Sequence, residues 1–434
     1  MVATVLGVLI LLLVPSLCMV PMVGANSATS PGQINLTWVD QQLTSWNPAF
    51  NSSMQYGVLF QPASYDNIIK SYNTPQVENA TLSMLLGTGA SCIRIDIGHD
   101  VWLKNDQAAQ SELMSLVSQI KGAGRCLIIA DAGAESYRTS PLTWQQFKEA
   151  WVQRVQTLAS LFKPNYYIVI KEPGFYVGMV SDATTNPLFS SASDWLNLTQ
   201  TLVSTVHSVS PNTSVGISIS SDSISKTPLF YNPYLIGVGN MQGISFVGYD
   251  IYTITGFNNT LSFVDSNGSG HAKVWIAECW SGTAASGIFN SSRSTLDVSW
   301  MKLVYYFGLL IHASMIIPFF TPIFASYSLA SVTSASQALS LLQQRTPVFY
   351  EFQAIVASSQ AGSTSGSTSG VTTSTGGSVS GTSSTLSTTS SVTTGTRREG
   401  SKNQARLIAI ALILAVVLVA AVLVFIYRST RRRR

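Results

Sequence analysis

Eight short apolar runs, separated by segments of a different periodicity, constrain this 434-residue chain more than any other feature. They lie at residues 56–61, 92–98, 126–131, 166–172, 214–220, 244–252, 273–279 and 315–320. Each is rich in β-branched and aromatic residues and has the length of a buried parallel strand. Between them, apolar residues return at helical spacing. Residues 107–123 place Leu113, Leu116, Val117 and Ile120 on one face and stop at Lys121-Gly-Ala-Gly124. Residues 141–162, 195–209 and 299–313 repeat the pattern. The connections after the fifth and sixth runs are poorly helical, and their spacing does not define a helix. Strand and helix alternating to eight predict an α/β fold, a (β/α)8 TIM barrel. An open doubly wound sheet is the alternative. It usually has fewer strands and a glycine-rich phosphate turn, and none follows the first run.

The ends of the chain read differently. Residues 1–25 are almost wholly apolar, and Val23-Gly-Ala25 offers small residues for cleavage before Asn26. This predicts a signal peptide, with an uncleaved anchor helix as the alternative. Residues 26–356 form the barrel domain. Residues 357–396 are nearly all Ser, Thr and Gly, the composition of a flexible stalk. Residues 406–427 predict a transmembrane helix, since the uncharged 407–427 would span a bilayer core of ~30 Å. Residues 428–434 make a basic cytoplasmic tail with five arginines. Together these segments predict a single-pass cell-membrane protein with its ectodomain at the cell surface. The eight Asn-x-Ser/Thr sequons agree, and N-glycans are expected at Asn35, Asn51, Asn79, Asn197, Asn212, Asn258, Asn267 and Asn290.

The net charge of +4 misleads, because nine of the 24 Lys and Arg flank the membrane run. Residues 26–396 hold 15 Lys and Arg against 19 Asp and Glu, which gives no support to nucleic-acid binding. Beyond the signal only Cys92, Cys126 and Cys279 remain, so at most one disulfide forms and one thiol stays free. There is no Cys-x-x-Cys or His-rich cluster, and neither a structural metal nor a cofactor is expected. No Gly-x-Ser-x-Gly elbow occurs, which argues against a serine hydrolase.

Buried strands seldom carry charge, because an unpaired buried charge is costly. Here ionisable residues gather at one end of the runs: Arg94, Asp96, Asp131, Lys171, Glu172, Asp250 and Glu278, with Tyr249, Tyr252 and Trp280 among them. In a parallel barrel that end is the active-site rim. A structural ring of ion pairs is the plainer explanation.

Tyr166-Tyr-Ile-Val-Ile-Lys-Glu172-Pro173 ends the fourth run and Lys273-Val-Trp-Ile-Ala-Glu278-Cys-Trp280 the seventh. Cys92-Ile-Arg94-Ile-Asp96 lies on the second and Gly248-Tyr-Asp-Ile-Tyr252 on the sixth. In their order, these motifs resemble those of the large clan of retaining glycoside hydrolases built on (β/α)8 barrels, over roughly residues 55–330. The resemblance implies that Glu278 is the nucleophile and Glu172 the acid/base. It also implies that Arg94 and Tyr252 hold Glu278 ionised and oriented. The partner would be a carbohydrate, with Trp280, Trp102 or Tyr176 stacking on sugar faces and Asp131 and His99 in support. The other histidines, His207, His271 and His312, read as structural.

Two departures stand out. Lys171 replaces the Asn that precedes the acid/base in the clan. Its ammonium is expected to lower the pKa of Glu172. That implies an anionic substrate, an acidic medium, or a barrel that binds glycans without cleaving them. The eighth run, Ile316-Ile-Pro-Phe-Phe, lacks the clan's tryptophan, and Phe319 or Phe320 would replace it. The expected activity is retaining hydrolysis of O-glycosidic bonds; the alternative is a non-catalytic glycan-binding surface protein.

Overall fold

A computed structural model describes residues 34–46, 54–60, 74–98, 100–133, 136–176, 178–181 and 191–364. The expected signal peptide, transmembrane helix and basic tail lie outside the described residues, as do His99, Asn51 and most of the stalk. Among the described residues no helix is long and apolar enough to cross a membrane.

Eight parallel strands close into a barrel in sequence order. They are β1 (Gln55–Phe60), β2 (Cys92–Ile97), β3 (Cys126–Asp131), β4 (Tyr166–Lys171), β5 (Ser214–Ser220), β6 (Ile244–Ile251), β7 (Lys273–Cys279) and β8 (Met315–Pro318). Closure comes from β1 and β8, where Gln55 pairs with Met315 and Tyr56 with Ile316. Alternation divides the strand side chains between two cores. Leu59, Ile128, Ile168, Phe246, Trp275 and Ile317 fill the barrel interior. There Phe246 and Trp275 stack with centroids 3.6 Å apart. The intervening residues, such as Ile93, Ile95, Val215 and Ile276, pack outward on the helices.

The surrounding helices are α1 (Leu36–Ser45), α2 (Pro75–Leu86), α3 (Gln107–Gly122), α4 (Trp144–Phe162), α5 (Ala192–Val209), α6 (Pro228–Gly239), α7 (Ile254–Asn267), α8 (Ser294–Leu310), α9 (Ala335–Leu342) and α10 (Pro347–Thr364). Their starts follow from local chemistry. Thr143 and Gln146 form a capping box on α4, and Ser191 caps α5. The last helix runs past Val356 to Thr364, so the first Ser/Thr/Gly residues continue the barrel's final helix.

The connections after β5 and β6, poorly helical by sequence, do carry helices. A short helix, Ser221–Lys226, and then α6 follow β5, and α7 follows β6. In α6 the apolar residues surround the axis and Pro233 lies inside, so no polar face marks the period. In α7 the poor helix formers Thr, Gly, Asn and Ser are offset by a Thr253 cap and by burial of Phe257 and Phe263.

Cys92 and Cys126 face each other in the β2–β3 register and form a disulfide, while Cys279 is free and buried. The bridge closes 34 residues of chain. Replacing both cysteines with serine should therefore cost about 4 kcal/mol of stability. Thermal unfolding of the double variant checks this, and reductant should lower the Tm of the parent and leave that of the variant unmoved.

Candidate active site

Strand alternation aims Arg94 and Asp96 of β2, Ser218 of β5 and Asp250 of β6 into the barrel mouth. For β7 alternation alone is insufficient. Tyr249 pairs with Ile276, but Asp250 pairs with Glu278, so Ala277 is passed over in a bulge. The extra residue turns the strand and re-aims the Glu278 side chain. The freed Ala277 carbonyl accepts Arg94 Nη1 at 2.8 Å. A matching irregularity between Ile168 and Ile170 in the β4–β5 pairing precedes Lys171.

Glu172 follows at once in the left-handed region, with φ of 46°. A non-glycine residue there costs on the order of 1–3 kcal/mol, and the following proline restricts it further. Its N–H donates to Ser218 O at 2.8 Å, and its carbonyl accepts from Phe175 N at 2.7 Å. These bonds hold the strained turn at the strand end, the kind of place where strain accompanies function.

The side chains converge on Glu278, which is 3% exposed. Its Oε1 accepts Arg94 Nη2 at 2.5 Å and lies 2.9 Å from Lys171 Nζ. Its Oε2 accepts Tyr252 Oη at 2.6 Å. Asp96 joins both cations, taking Arg94 Nε at 2.6 Å and Lys171 Nζ at 2.7 Å. The Lys171 ammonium also sits 5.1 Å from the centre of the Phe319 ring. One carboxyl oxygen from each of Glu172, Asp250 and Glu278 lies within 4.8 Å of the other two. Glu172 and Tyr252 are the members still partly open to solvent.

These distances fix the charges. Burial pushes Asp96 up, but Arg94 and Lys171 overcome it and hold its carboxyl below the usual range. Glu172 goes the other way, to about 7, through burial first and then the charge of Glu278. Asp250 is held well above the usual range by burial, then by Glu278 and Glu172. Arg94 and Lys171 pair with Asp96 and Glu278, so a divalent ion among Glu172, Asp250 and Glu278 would have to compete with Arg94 and Lys171.

Several expectations need correction. Lys171 does favour ionised Glu172, but its ammonium is engaged by Asp96 and Glu278, and burial and Glu278 prevail. The acidic-medium argument therefore loses its premise. Asp131 is not at the cluster. It pairs with Arg154 of α4 at 2.5 Å and accepts Gly133 N, tying the β3 end to a helix. Trp280 is 0% exposed, packed edge-on to Phe320 and against Phe324, so it offers no face to a sugar. Tyr176 is equally buried, with its hydroxyl between Lys171 N and Asp131 O. Trp102 lines a separate surface groove with Tyr137 and Arg154. The structure brings together Arg94, Lys171, Glu172, Tyr252 and Glu278. It adds Asp96 and Asp250, whose positions on the rim were evident but whose roles were not. Phe319 lies beside Lys171, and both Phe319 and the more buried Phe320 pack against Tyr252.

No protein-family model matches the chain, and no curated protein sequence matches it. Solved structures do. The chain is similar to a family 1 β-glucosidase from Thermotoga maritima, with a TM-score of 0.50 and 10% identity over 71% of this chain and 99% of that one. It is also similar to the exo-β-1,4-mannosidase Op5Man5 from Opitutaceae bacterium strain TAV5, with a TM-score of 0.50 and 10% identity. That match covers 73% of this chain and 63% of the other. At this identity the likeness is one of fold: an eight-stranded parallel barrel shared with glycosidases.

Proposed function

We propose that the chain is a cell-surface glycoside hydrolase that cleaves O-glycosidic bonds of a poly- or oligosaccharide with retention of configuration. One observation carries the reading: one carboxyl oxygen of Glu172 lies within 4.8 Å of one of Glu278, with no gap between the two groups wide enough for an inverting enzyme's water. Retaining enzymes hold their two carboxyls ~5–5.5 Å apart, whereas inverting ones need ~6.5–9.5 Å to admit a water. Glu278, ionised between Arg94, Lys171 and Tyr252, attacks the anomeric carbon. Glu172 protonates the leaving oxygen, and then takes a proton from the water that releases the sugar. The environments of the two groups differ as these roles require: Glu278 is surrounded by donors, and Glu172 is poised near neutrality.

An outside location is supported by the Cys92–Cys126 disulfide, since such bridges persist in oxidising compartments. The sequon residues Asn79, Asn197, Asn212, Asn258, Asn267 and Asn290 are all exposed, and Asn35 is half-buried. N-glycans at these sites and a C-terminal membrane helix complete the proposed layout.

Lys171 favours a second reading. Two cations on one Glu278 oxygen stabilise the carboxylate and weaken it as a nucleophile, as in a barrel that binds glycans without turnover. The test is a screen of the full-length chain on aryl glycosides and polysaccharides from about pH 2 to 9, wide enough to bracket a shifted acid. Hydrolysis that falls as pH rises through about 7 supports the enzyme. Saturable glycan binding with no hydrolysis across the whole range supports the binding protein. Lys171→Met adds a signed check. Lys171 lowers the pKa of Glu172, so its loss should move the alkaline limb of the rate profile to higher pH.

A further inference from the structure

We propose that Asp250 is a positioning residue for Glu172: its carboxyl donates a hydrogen bond that holds the acid/base side chain while Glu172 loses and regains its proton. The inference rests on the reading of Glu172 as the acid/base. It starts from strand register. Asp250 lies beside Glu278 of β7 and Ser220 of β5, and it is 1% exposed. Its Oδ2 accepts Ser218 Oγ at 3.0 Å. Its Oδ1 is buried with no hydrogen-bond partner. One of its carboxyl oxygens lies within 4.8 Å of one oxygen each of Glu172 and Glu278.

A buried carboxyl with an unsatisfied oxygen and two further carboxyls close by favours a proton among them, because carboxylates that share a site do not all stay ionised. Glu278 already has Arg94, Lys171 and Tyr252 as donors. Glu172 lacks such a set and is the natural acceptor. The groups facing Asp250 are Arg94 of β2, Lys171 and Glu172 at the end of β4, Ser218 of β5, Tyr252 beyond β6, and Glu278 and Cys279 of β7. Burial and the two glutamate charges keep the proton on Asp250 when Glu172 ionises.

The proton count closes over both steps. In the first, the Glu172 O–H bond breaks and the glycosidic oxygen takes the proton. Glu172 is then a carboxylate, and Asp250 O–H bonds to it. In the second, water gives a proton back to Glu172 as its oxygen attacks the glycosyl ester on Glu278. Asp250 keeps its own proton throughout.

The test uses the full-length chain with two substitutions and two readouts. Asp250→Asn keeps an N–H donor toward Glu172 and an acceptor for Ser218. Asp250→Ala keeps neither. On an aryl glycoside, Asp250→Ala should lower kcat roughly ten-fold and move the alkaline limb up by about one pH unit, the effect of losing a charge-assisted bond to the carboxylate. Asp250→Asn should keep the limb near that of the parent. An unmoved limb in Asp250→Ala, or an equal shift in both variants, overturns the proposal. Infrared spectra of the ligand-free proteins read the proton without turnover. The parent should keep a protonated-carboxyl band above pH 7 that Asp250→Asn lacks and Glu172→Gln retains. Absence of that band overturns the proposal even in an active enzyme. Its presence in a chain that hydrolyses no glycoside leaves the proton on Asp250 and refutes the catalytic reading of Glu172.

Discussion

Glu278→Gln is expected to cut kcat on every glycoside by on the order of 10⁴-fold or more, because removing one member of a unit that acts together removes most of its effect. The amide keeps the size of the carboxyl but cannot form the glycosyl ester. The electrostatics change as well. Arg94 and Lys171 then face Asp96 as the remaining anion, and the charge that raised the pKa of Glu172 is gone. The residual activity should therefore fall off at a lower pH than in the parent. A shorter Glu278→Gly variant gives a positive test. Azide should enter the space and yield a glycosyl azide of inverted configuration, as expected when an outside nucleophile replaces the one that was lost. Azide that changes nothing would argue against Glu278 as the attacking group.

Glu172→Gln is expected to lower kcat by roughly 10²–10⁴-fold, the range for a positioned acid or base. The size of the loss should depend on the substrate. A nitrophenolate departs with little help, so its first step should suffer least. An unactivated sugar needs the proton and should suffer most. The pH profile carries the sign. As an acid Glu172 must be protonated, so the parent is active below about 7 and loses activity as pH rises through it. The variant has no such group, and its alkaline limb should vanish. A limb that persists near 7 would assign the titration to another group.

The barrel was legible in the sequence because buried parallel strands are apolar on both faces and stand out as runs. All eight were found, and the observed strands start and end close to the expected bounds. The helices around α6 and α7 were not legible, because packing on the barrel, rather than amphipathic spacing, stabilises them. At the site, Glu172, Glu278, Arg94 and Tyr252 could be read from strand ends, since the end of a strand fixes which rim a residue joins. The partners of Lys171 could not. Whether its ammonium meets Glu172 or Asp96 and Glu278 depends on irregular register in two strand pairs. Trp280 misled for a related reason: it lies past the bulge at Ala277 and just beyond the end of β7, where strand alternation no longer fixes which way a side chain points. Asp250 stood on the rim in plain view, yet its meaning comes from the carboxyls around it and not from its position in the chain.

In the proposed reaction Glu278 becomes covalently linked to the sugar. The most direct measurement incubates the full-length chain with a panel of dinitrophenyl 2-deoxy-2-fluoroglycosides, whose fluorine slows release of the intermediate, and follows with peptide mass mapping. A mass increase of one fluoroglycosyl unit is expected on the peptide carrying Glu278, and none in Glu278→Gln. A label on any other residue of a protein that hydrolyses glycosides would contradict it.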